Sequence, residues 1–199
     1  FEEHLASVEA NKKKETTDVV MDVEHTTESI AELTDRNSEW RKELRTSMKA
    51  KDRGNIERVK MPELDPVYRA TTRTEEVNIG LTKEMELTEA KRCLDCPKPT
   101  CVEGCPVNIN IPSFIKNIER GQFLAAAKVL KNTSALPAVC GRVCPQEKQC
   151  ESKCIQLKMN KPAVAIGYLE RFAADYERQS GNISVPEKEA ANGIKVAVV

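Results

Sequence analysis

The chain has 199 residues, with 31 basic and 31 acidic side chains, and aromatic residues make up 4% of it. This length fits one domain, or one domain with an appendage, and so few aromatic residues argue against an aromatic-rich β-sandwich. No stretch approaches the run of about 18 apolar residues that a membrane-spanning helix needs, so we expect no membrane partner. Because the first residue is Phe1 rather than Met, we expect a fragment of a longer protein.

Charge and cysteine are unevenly distributed along the chain. Residues 1–92 carry 21 acidic and 17 basic side chains, whereas residues 93–199 carry 10 acidic and 14 basic ones. All eight cysteines lie between Cys93 and Cys154. Such a density indicates that the second half is held together by disulfides or metal bonds.

The predicted elements begin with a charged segment, residues 1–25, that we interpret as a solvated linker. Over residues 27–51 apolar side chains recur on one face, which predicts an amphipathic helix. Arg41 and Arg45 fit the exposed face of this helix. Residues 1–50 are thus predicted to be a charged linker and an amphipathic helix. The apolar face comprises Ile30, Leu33, Trp40, Leu44 and Met48.

Short helices with one apolar side are predicted before, within and after the part of the chain that contains the cysteines. In the first of them we expect Thr82 as the N-cap, with Met85, Leu87 and Ala90 on the apolar side. In the next two, the expected inward residues include Phe114 and, after a break at a glycine, Phe123. The expected helices cover residues 82–92, 112–120, 122–131 and about 162–178.

The last residues predict a change of structure. Residues 181–193 are polar and contain Gly181, Pro186 and Gly193, which is typical of a linker. The β-branched residues that follow, 194–199, predict a strand that would open a further domain.

The cysteines form two groups of four, and three kinds of bonding compete to explain them. Disulfides form in oxidising compartments, and nothing in the sequence indicates secretion, so we expect a cytoplasmic protein. Structural zinc sites prefer two matched pairs of cysteines that are two residues apart, but only Cys93 and Cys96 form such a pair. The groups are Cys93-x2-Cys96-x4-Cys101-x3-Cys105 and Cys140-x3-Cys144-x5-Cys150-x3-Cys154.

Iron–sulfur clusters fit this spacing best. A cubane cluster has four iron corners, and each corner needs a soft thiolate or a substitute. Closely spaced cysteines can bind several corners from one loop, while a distant residue binds the last. A cysteine directly before proline, as in Cys105-Pro106 and Cys144-Pro145, is typical of ferredoxins, in which the last cysteine of a run binds the other cluster.

Longer motifs in the cysteine region resemble one particular family. These are CLDCPKPTCVEGCPV, IPSFI and LPAVCGRVCPQE. They are similar to the N-terminal iron–sulfur domain of the NADPH-dependent glutamate synthase small (beta) subunit. Dihydropyrimidine dehydrogenase and the large subunit of NADH-dependent ferredoxin:NADP oxidoreductase share this domain. The resemblance covers about residues 51–199 and is most specific at 93–172.

The resemblance implies a mainly α fold and a division of the chain. Residues 51–180 are expected to form an α-helical ferredoxin domain that holds two 4Fe–4S clusters. Residues 181–199 are expected to be a linker and the first strand of a truncated Rossmann-like domain that binds FAD and NAD(P). No Gly-x-Gly-x-x-Gly loop is present in the sequence, so FAD and NADPH are expected only in the missing C-terminal part.

The resemblance also implies crossed ligation of the two clusters. On a helical wheel Glu170 borders a buried stripe and Arg171 lies on the far side, so Glu170 can turn inward. Cys140 matches a cysteine that the family leaves unliganded, but from the residues alone it remains the alternative to Glu170. The first cluster is expected to be bound by Cys93, Cys96, Cys101 and Cys154. The second cluster is expected to be bound by Cys105, Cys144, Cys150 and Glu170.

The function that the resemblance implies is electron transfer between an FAD- and NADPH-binding domain and a partner redox site in a glutamate synthase-type oxidoreductase. The expected partners are the chain's own C-terminal domain and a large subunit or partner flavoprotein. This fragment alone is not expected to be catalytically complete, and no catalytic residue is assigned to it. The basic residues lack interleaved aromatic ones, so no nucleic-acid partner is expected.

Two alternatives to this function stay open at the level of sequence. The same electron-transfer module occurs in pyrimidine-reducing enzymes and in electron-bifurcating ferredoxin:NADP oxidoreductases. A zinc-binding interaction module without a redox role is the alternative from another class.

Overall fold

The computed structural model of the chain describes residues 27–183 and 190–197. Within these ranges the regular structure is helical, apart from an isolated antiparallel bridge between Glu63 and Asn78. The prediction of a mainly α fold is therefore confirmed. The linker predicted at residues 1–25 lies outside the described residues.

Eleven α-helices are present in the described ranges, joined by short turns. Two 3₁₀ turns, Gln146–Lys148 and Glu151–Lys153, lie within the second cysteine group. The helices are α1 (Ile30–Thr34), α2 (Glu39–Ser47), α3 (Ala50–Asn55), α4 (Pro66–Arg69), α5 (Lys83–Lys91), α6 (Thr100–Glu103), α7 (Ile111–Glu119), α8 (Phe123–Lys131), α9 (Pro137–Val143), α10 (Ile155–Lys158) and α11 (Ile166–Ser180).

The core lies among α5, α7, α8 and α11, and α9 packs on α11 at its edge. Asn110 caps α7, because its side chain accepts a hydrogen bond from the backbone of Ser113, and Gly121 ends the turn after α7 with a φ of +80°. The inward positions predicted for these two helices are confirmed. They are Phe114, Ile115 and Ile118 on α7, and Phe123, Ala126, Ala127 and Leu130 on α8.

The single helix predicted over residues 27–51 is wrong, since the segment forms α1, α2 and α3. Ser29 and Glu32 form a capping box that starts α1. Extended backbone at Asp35 and at Met48 ends α1 and α2. Of the predicted apolar face, Leu33 is buried in the core.

Helix α5 begins as predicted, with the Thr82 side chain accepting a hydrogen bond from the Met85 backbone. Of the predicted apolar side, Ala90 is buried in the core and Leu87 packs against it, but the helix also buries Glu86 and Glu89. The Glu89 carboxylate is compensated by the Arg92 guanidinium at 2.6 Å and by the distant backbone nitrogens of Val59 and Ala165. Tertiary partners thus override the polarity pattern of this helix.

Helix α11 begins four residues later than predicted, at Ile166. The Arg92 guanidinium donates hydrogen bonds to the carbonyls of Pro162 and Ala163, and those carbonyls are thus engaged outside a helix. The placement of Arg171 on the far side of α11 is also wrong, because Arg171 is buried. Its guanidinium bonds to Glu76 and to the carbonyl of Asn78.

The strand predicted at residues 194–199 is not observed at 194–197, which have no regular structure. Val198 and Val199 lie outside the described residues. A strand requires a neighbouring strand to pair with, and no strand is present in the described ranges.

None of the helices in residues 27–183 and 190–197 combines the length and the apolar character that crossing a membrane would require.

Candidate iron–sulfur site

Four of the predicted ligands line one cavity. Cys93 and Cys96 follow α5, Cys101 lies on α6, and Cys154 immediately precedes α10. These four are the predicted ligands of the first cluster. Apolar side chains complete the wall of the cavity, among them Leu94, Pro99, Ile111, Pro112, Ile115, Ile155, Val164 and Ile166.

Burial and mutual proximity raise the pKa values of these thiols. The pKa of Cys101 is raised first by burial and then by the charges of Cys93, Cys154 and Cys96. Burial also raises the pKa of Cys93 to about 11, against an opposing effect of Lys116. Four thiolates in one apolar cavity would repel one another unless positive charge lies between them. An iron–sulfur core supplies that charge and soft metal centres, so this donor set fits a 4Fe–4S cluster.

The remaining predicted ligands form a second, adjacent group. Burial, together with the smaller effects of Cys140, Glu170 and Cys105, raises the pKa of Cys144 to about 11. Burial raises the pKa of Cys150 to about 12, with added effects of Glu151, Cys105 and Glu170. The structure therefore brings Cys105, Cys144, Cys150 and Glu170 into one neighbourhood, and Cys140 lies there too.

Glu170 has the properties of an inward-facing ligand. Its side chain is buried on α11, with 5% of the residue exposed, and burial raises its pKa to about 7. Within the described part of the chain, its Oε1 atom has no hydrogen-bond partner. A buried polar atom without a partner costs folding free energy, and coordination to iron would satisfy it.

Close backbone packing brings together the two cysteine runs of the sequence, residues 93–105 and 140–154. A Cβ on Gly104 would lie 2.8 Å from the Gln149 carbonyl oxygen and 3.1 Å from the Cα of Cys150. Only glycine fits at such a distance. The Thr100 hydroxyl also donates a 2.6 Å hydrogen bond to the Lys153 carbonyl. Helix α6, which lies between Cys96 and Cys105, is thereby held against the turn that carries Cys150 and Cys154.

Several residues that support the site have no signal in the cysteine pattern. The Lys116 ammonium is buried and donates a 2.7 Å hydrogen bond to the Cys93 carbonyl. Gln156 donates to the carbonyl of Arg92, the residue before Cys93. Asp95, between Cys93 and Cys96, is fully buried and has a positive φ of 53°. That last residue could have been singled out, because a carboxylate between two metal-binding cysteines needs cationic partners.

The geometry of a mononuclear metal site is not found. In the part of the chain that the structure describes, no three Cys, His, Asp or Glu side chains converge as they would around a single metal ion.

Residues 69–182 match the family described as dihydropyrimidine dehydrogenase domain II, 4Fe-4S cluster. The chain belongs to this family. It is therefore a 4Fe–4S electron-transfer domain of the oxidoreductase type, and this assignment replaces the zinc alternative.

The curated relatives that the chain resembles include subunits of oxidoreductases. The NAD-dependent dihydropyrimidine dehydrogenase subunit PreT of Escherichia coli K12 is 38% identical over 54% of this chain and 26% of its own length. The glutamate synthase [NADPH] small chain of the same organism is 39% identical over 56% of this chain and 23% of its own. The small chain of Azospirillum brasilense is 30% identical over 70% of this chain and 29% of its own. The chain thus spans less than a third of the length of these relatives.

Proposed function

We propose that this chain is the two-cluster electron-transfer module of a larger flavin-dependent oxidoreductase. The observation that carries the proposal is the grouping of the thiols. Cys93, Cys96, Cys101 and Cys154 line one cavity, while Cys105, Cys144 and Cys150 lie in an adjacent group with Glu170. Each group supplies the four donors that one cubane needs.

This grouping supports crossed ligation. Cys101 and Cys105 are neighbours along the chain but belong to different groups, and the same holds for Cys150 and Cys154. Both cysteine runs therefore contribute to both clusters, which keeps the two centres close together. A short separation between centres is what a relay of single electrons requires.

The roles of the residues follow from their positions. A bound 4Fe–4S cluster supplies one-electron redox chemistry. The thiolates and Glu170 would hold the irons, and the apolar side chains that line the first cavity would exclude water from it. Lys116 fixes the backbone at Cys93 through its hydrogen bond to that carbonyl.

We propose that this chain is divided into a leading segment (residues 1–50), the cluster domain (51–180) and a linker with the start of the next domain (181–199). An FAD- and NADPH-binding domain would follow it, and a large subunit or partner flavoprotein would accept the electrons. In a glutamate synthase-type enzyme the acceptor site forms glutamate. The similar identity to the PreT subunit and to the glutamate synthase small chain keeps a pyrimidine-reducing enzyme as the second candidate.

Metal analysis of the full-length protein, purified without oxygen, tests whether the chain binds two iron–sulfur clusters. We expect about eight irons and about eight acid-labile sulfides per chain, since two cubanes contain that many. Four irons and four sulfides per chain would contradict the presence of the second cluster. Zinc with negligible sulfide would overturn the redox function altogether.

The two whole-protein candidates differ in the electron acceptor. We expect reduced-nucleotide oxidation by the full-length protein with its partner subunit to depend on glutamine and 2-oxoglutarate. Dependence on uracil instead would assign the chain to the pyrimidine-reducing enzymes.

A further inference from the structure

Three arginines from the N-terminal segment converge on Asp95, the residue between Cys93 and Cys96. Arg41 makes the main contact, in which its Nη2 lies 2.6 Å from Asp95 Oδ1 and its Nε lies 3.0 Å from Oδ2. This bidentate geometry is the strongest arrangement for an arginine and a carboxylate. Arg41 is 2% exposed, and its Nη1 donates to the Thr34 carbonyl and the Ser113 hydroxyl.

The other two arginines complete the arrangement from the same segment. Arg45 Nη1 lies 2.7 Å from Asp95 Oδ2 and also donates to the Arg36 carbonyl. Arg36 donates through Nε and Nη2 to the backbone carbonyl of Asp95, at 3.2 and 3.0 Å. Both the side chain and the backbone of Asp95 are therefore held. The positive φ of this residue is fixed by contacts with α2 and the turn before it.

The arrangement leaves an excess of positive charge beside the cavity. Three guanidiniums surround one carboxylate, and arginine stays protonated at every working pH. Arg36 bonds to the carbonyl of Asp95, the residue directly before Cys96, and Cys96 lines the cavity. A cluster with four thiolate ligands is negatively charged, and it becomes more so when it takes up an electron. Cationic groups nearby stabilise the reduced form more than the oxidised form.

We propose that Arg36, Arg41 and Arg45 form an arginine clamp that positions the Cys93–Cys96 turn and raises the midpoint potential of the first cluster. The inference rests on the proposed ligand set of that cluster. It gives residues 27–55 a role in electron transfer, because the clamp is built entirely from this segment. The cysteine motif contains none of these three residues.

The segment is anchored to the core independently of the clamp. Leu33 is fully buried, and its carbonyl accepts a hydrogen bond from the Asn117 side chain. Arg53 donates to the Lys91 carbonyl and pairs with Glu119 at 2.8 Å. Loss of a single peripheral arginine therefore leaves the segment in place. Arg36 and Arg45 suit this purpose, since their side chains are 38% and 20% exposed.

A redox titration of the full-length protein with dithionite, followed by electron paramagnetic resonance, tests the clamp. Dithionite gives one electron to each cluster, and no bond forms or breaks in the protein. In Arg36→Gln and Arg45→Gln we expect the midpoint potential of the first cluster to fall, while that of the second cluster stays unchanged. Arg36→Lys keeps the charge and should retain most of the potential. The exposed Lys49 provides the control for a charge lost elsewhere in the segment, as Lys49→Gln.

The positioning role of the clamp is tested separately, by the rate at which iron is released. In Arg41→Lys the bidentate contact is lost while the charge remains. We expect iron of the first cluster to be released to a chelator about tenfold faster than in the unmodified protein, because changing a residue that supports a metal ligand lowers metal affinity by about tenfold or more. An unchanged release rate would contradict the positioning role.

A further variant separates this inference from the proposed ligation. Cys93→Ser should abolish the signal of the first cluster. If it instead abolishes the signal that Cys144→Ser removes, the proposed ligand sets are wrong. If Cys93→Ser acts as expected but the potential is the same in Arg36→Gln, Arg45→Gln and the unmodified protein, the ligand sets stand and the electrostatic role of the clamp is wrong.

Discussion

A Cβ atom added to Gly141 would lie 2.6 Å from the backbone nitrogen of Arg171, a distance at which no side-chain carbon fits. Gly141 is on α9, three residues before Cys144, and Arg171 follows Glu170 on α11. Their contact therefore sets how closely α9 and α11 approach. It also sets the distance between two proposed ligands of the second cluster.

Replacement of Gly141 by alanine should push α9 away from α11. We expect Gly141→Ala to lower the free energy of unfolding by about 1–3 kcal/mol, as overpacking does, and to weaken the second cluster selectively. Thermal unfolding and electron paramagnetic resonance measure the two effects. Gly54→Ala is the matched control, because the nearest atom to a Cβ there is 3.4 Å away. Equal behaviour of both variants would show that the approach of the helices is not limiting.

Crossed ligation predicts that two nearby cysteines act on different clusters. Cys101→Ser should alter the signal that Cys154→Ser alters, whereas Cys105→Ser should alter the signal that Cys144→Ser and Cys150→Ser alter. Reduced samples of each variant can be compared by electron paramagnetic resonance. Loss of the same signal in Cys101→Ser and Cys105→Ser would contradict crossed ligation, because both cysteines would then bind the same cluster.

The fourth ligand of the second cluster can be assigned with two variants. Glu170→Ala should perturb only the second cluster, because the buried Oε1 without a hydrogen-bond partner is the proposed iron ligand. Cys140→Ser should leave both clusters intact, although Cys140 lies beside Cys144. The reverse result, with a cluster lost in Cys140→Ser and none affected in Glu170→Ala, would assign Cys140 as the ligand.

Glu86 predicts a pH dependence of stability. Burial raises its pKa to about 9, and the charge of Glu89 adds to this effect. In the unfolded chain Glu86 ionises near its ordinary pKa of 4.5. Between these two values the folded state holds the extra proton, so this contribution to stability is lost as the pH rises from about 4.5 to about 9.

Glu86→Gln should remove that pH dependence. At pH 7.5 we expect the variant to be more stable than the unmodified protein by on the order of 2–4 kcal/mol, a difference that vanishes near pH 4.5. Thermal unfolding midpoints of both proteins across this pH range test it. Glu84→Gln on the exposed side of α5 is the control. A constant difference between Glu86→Gln and the unmodified protein at every pH would contradict the assigned protonation.

Removal of the clusters should unfold only part of the domain. Helices α6 and α10 have four residues each, a length that is not stable alone in water, and α9 carries few buried residues. In contrast, α7, α8 and α11 bury a conventional apolar core. After oxidation and chelation we expect circular dichroism to show a partial loss of helix. Hydrogen exchange should locate that loss at residues 93–110 and 137–158, and an unchanged spectrum would contradict the prediction.

Local sequence signals determined the elements whose stability is local. The start of α5 at Thr82 and the inward residues of α7 and α8 followed from caps and apolar periodicity, because these helices bury an apolar stripe. The spacing of the cysteines by itself indicates iron–sulfur chemistry, since four soft donors per cubane are a chemical requirement.

Tertiary structure alone decided the burial of Arg41 and of Glu89. Periodicity placed Arg41 on an exposed face and Glu89 outside the apolar side of α5, but both are buried. A charge can leave water only when a partner compensates it. Glu89 pairs with the nearby Arg92 at 2.6 Å, but its backbone donors and the carboxylate partner of Arg41 are distant in sequence. Asp95 is 54 residues from Arg41, and Ala165 is 76 residues from Glu89. Because these contacts join distant segments of the chain, the burial of Arg41 and of Glu89 emerges only when the helices pack.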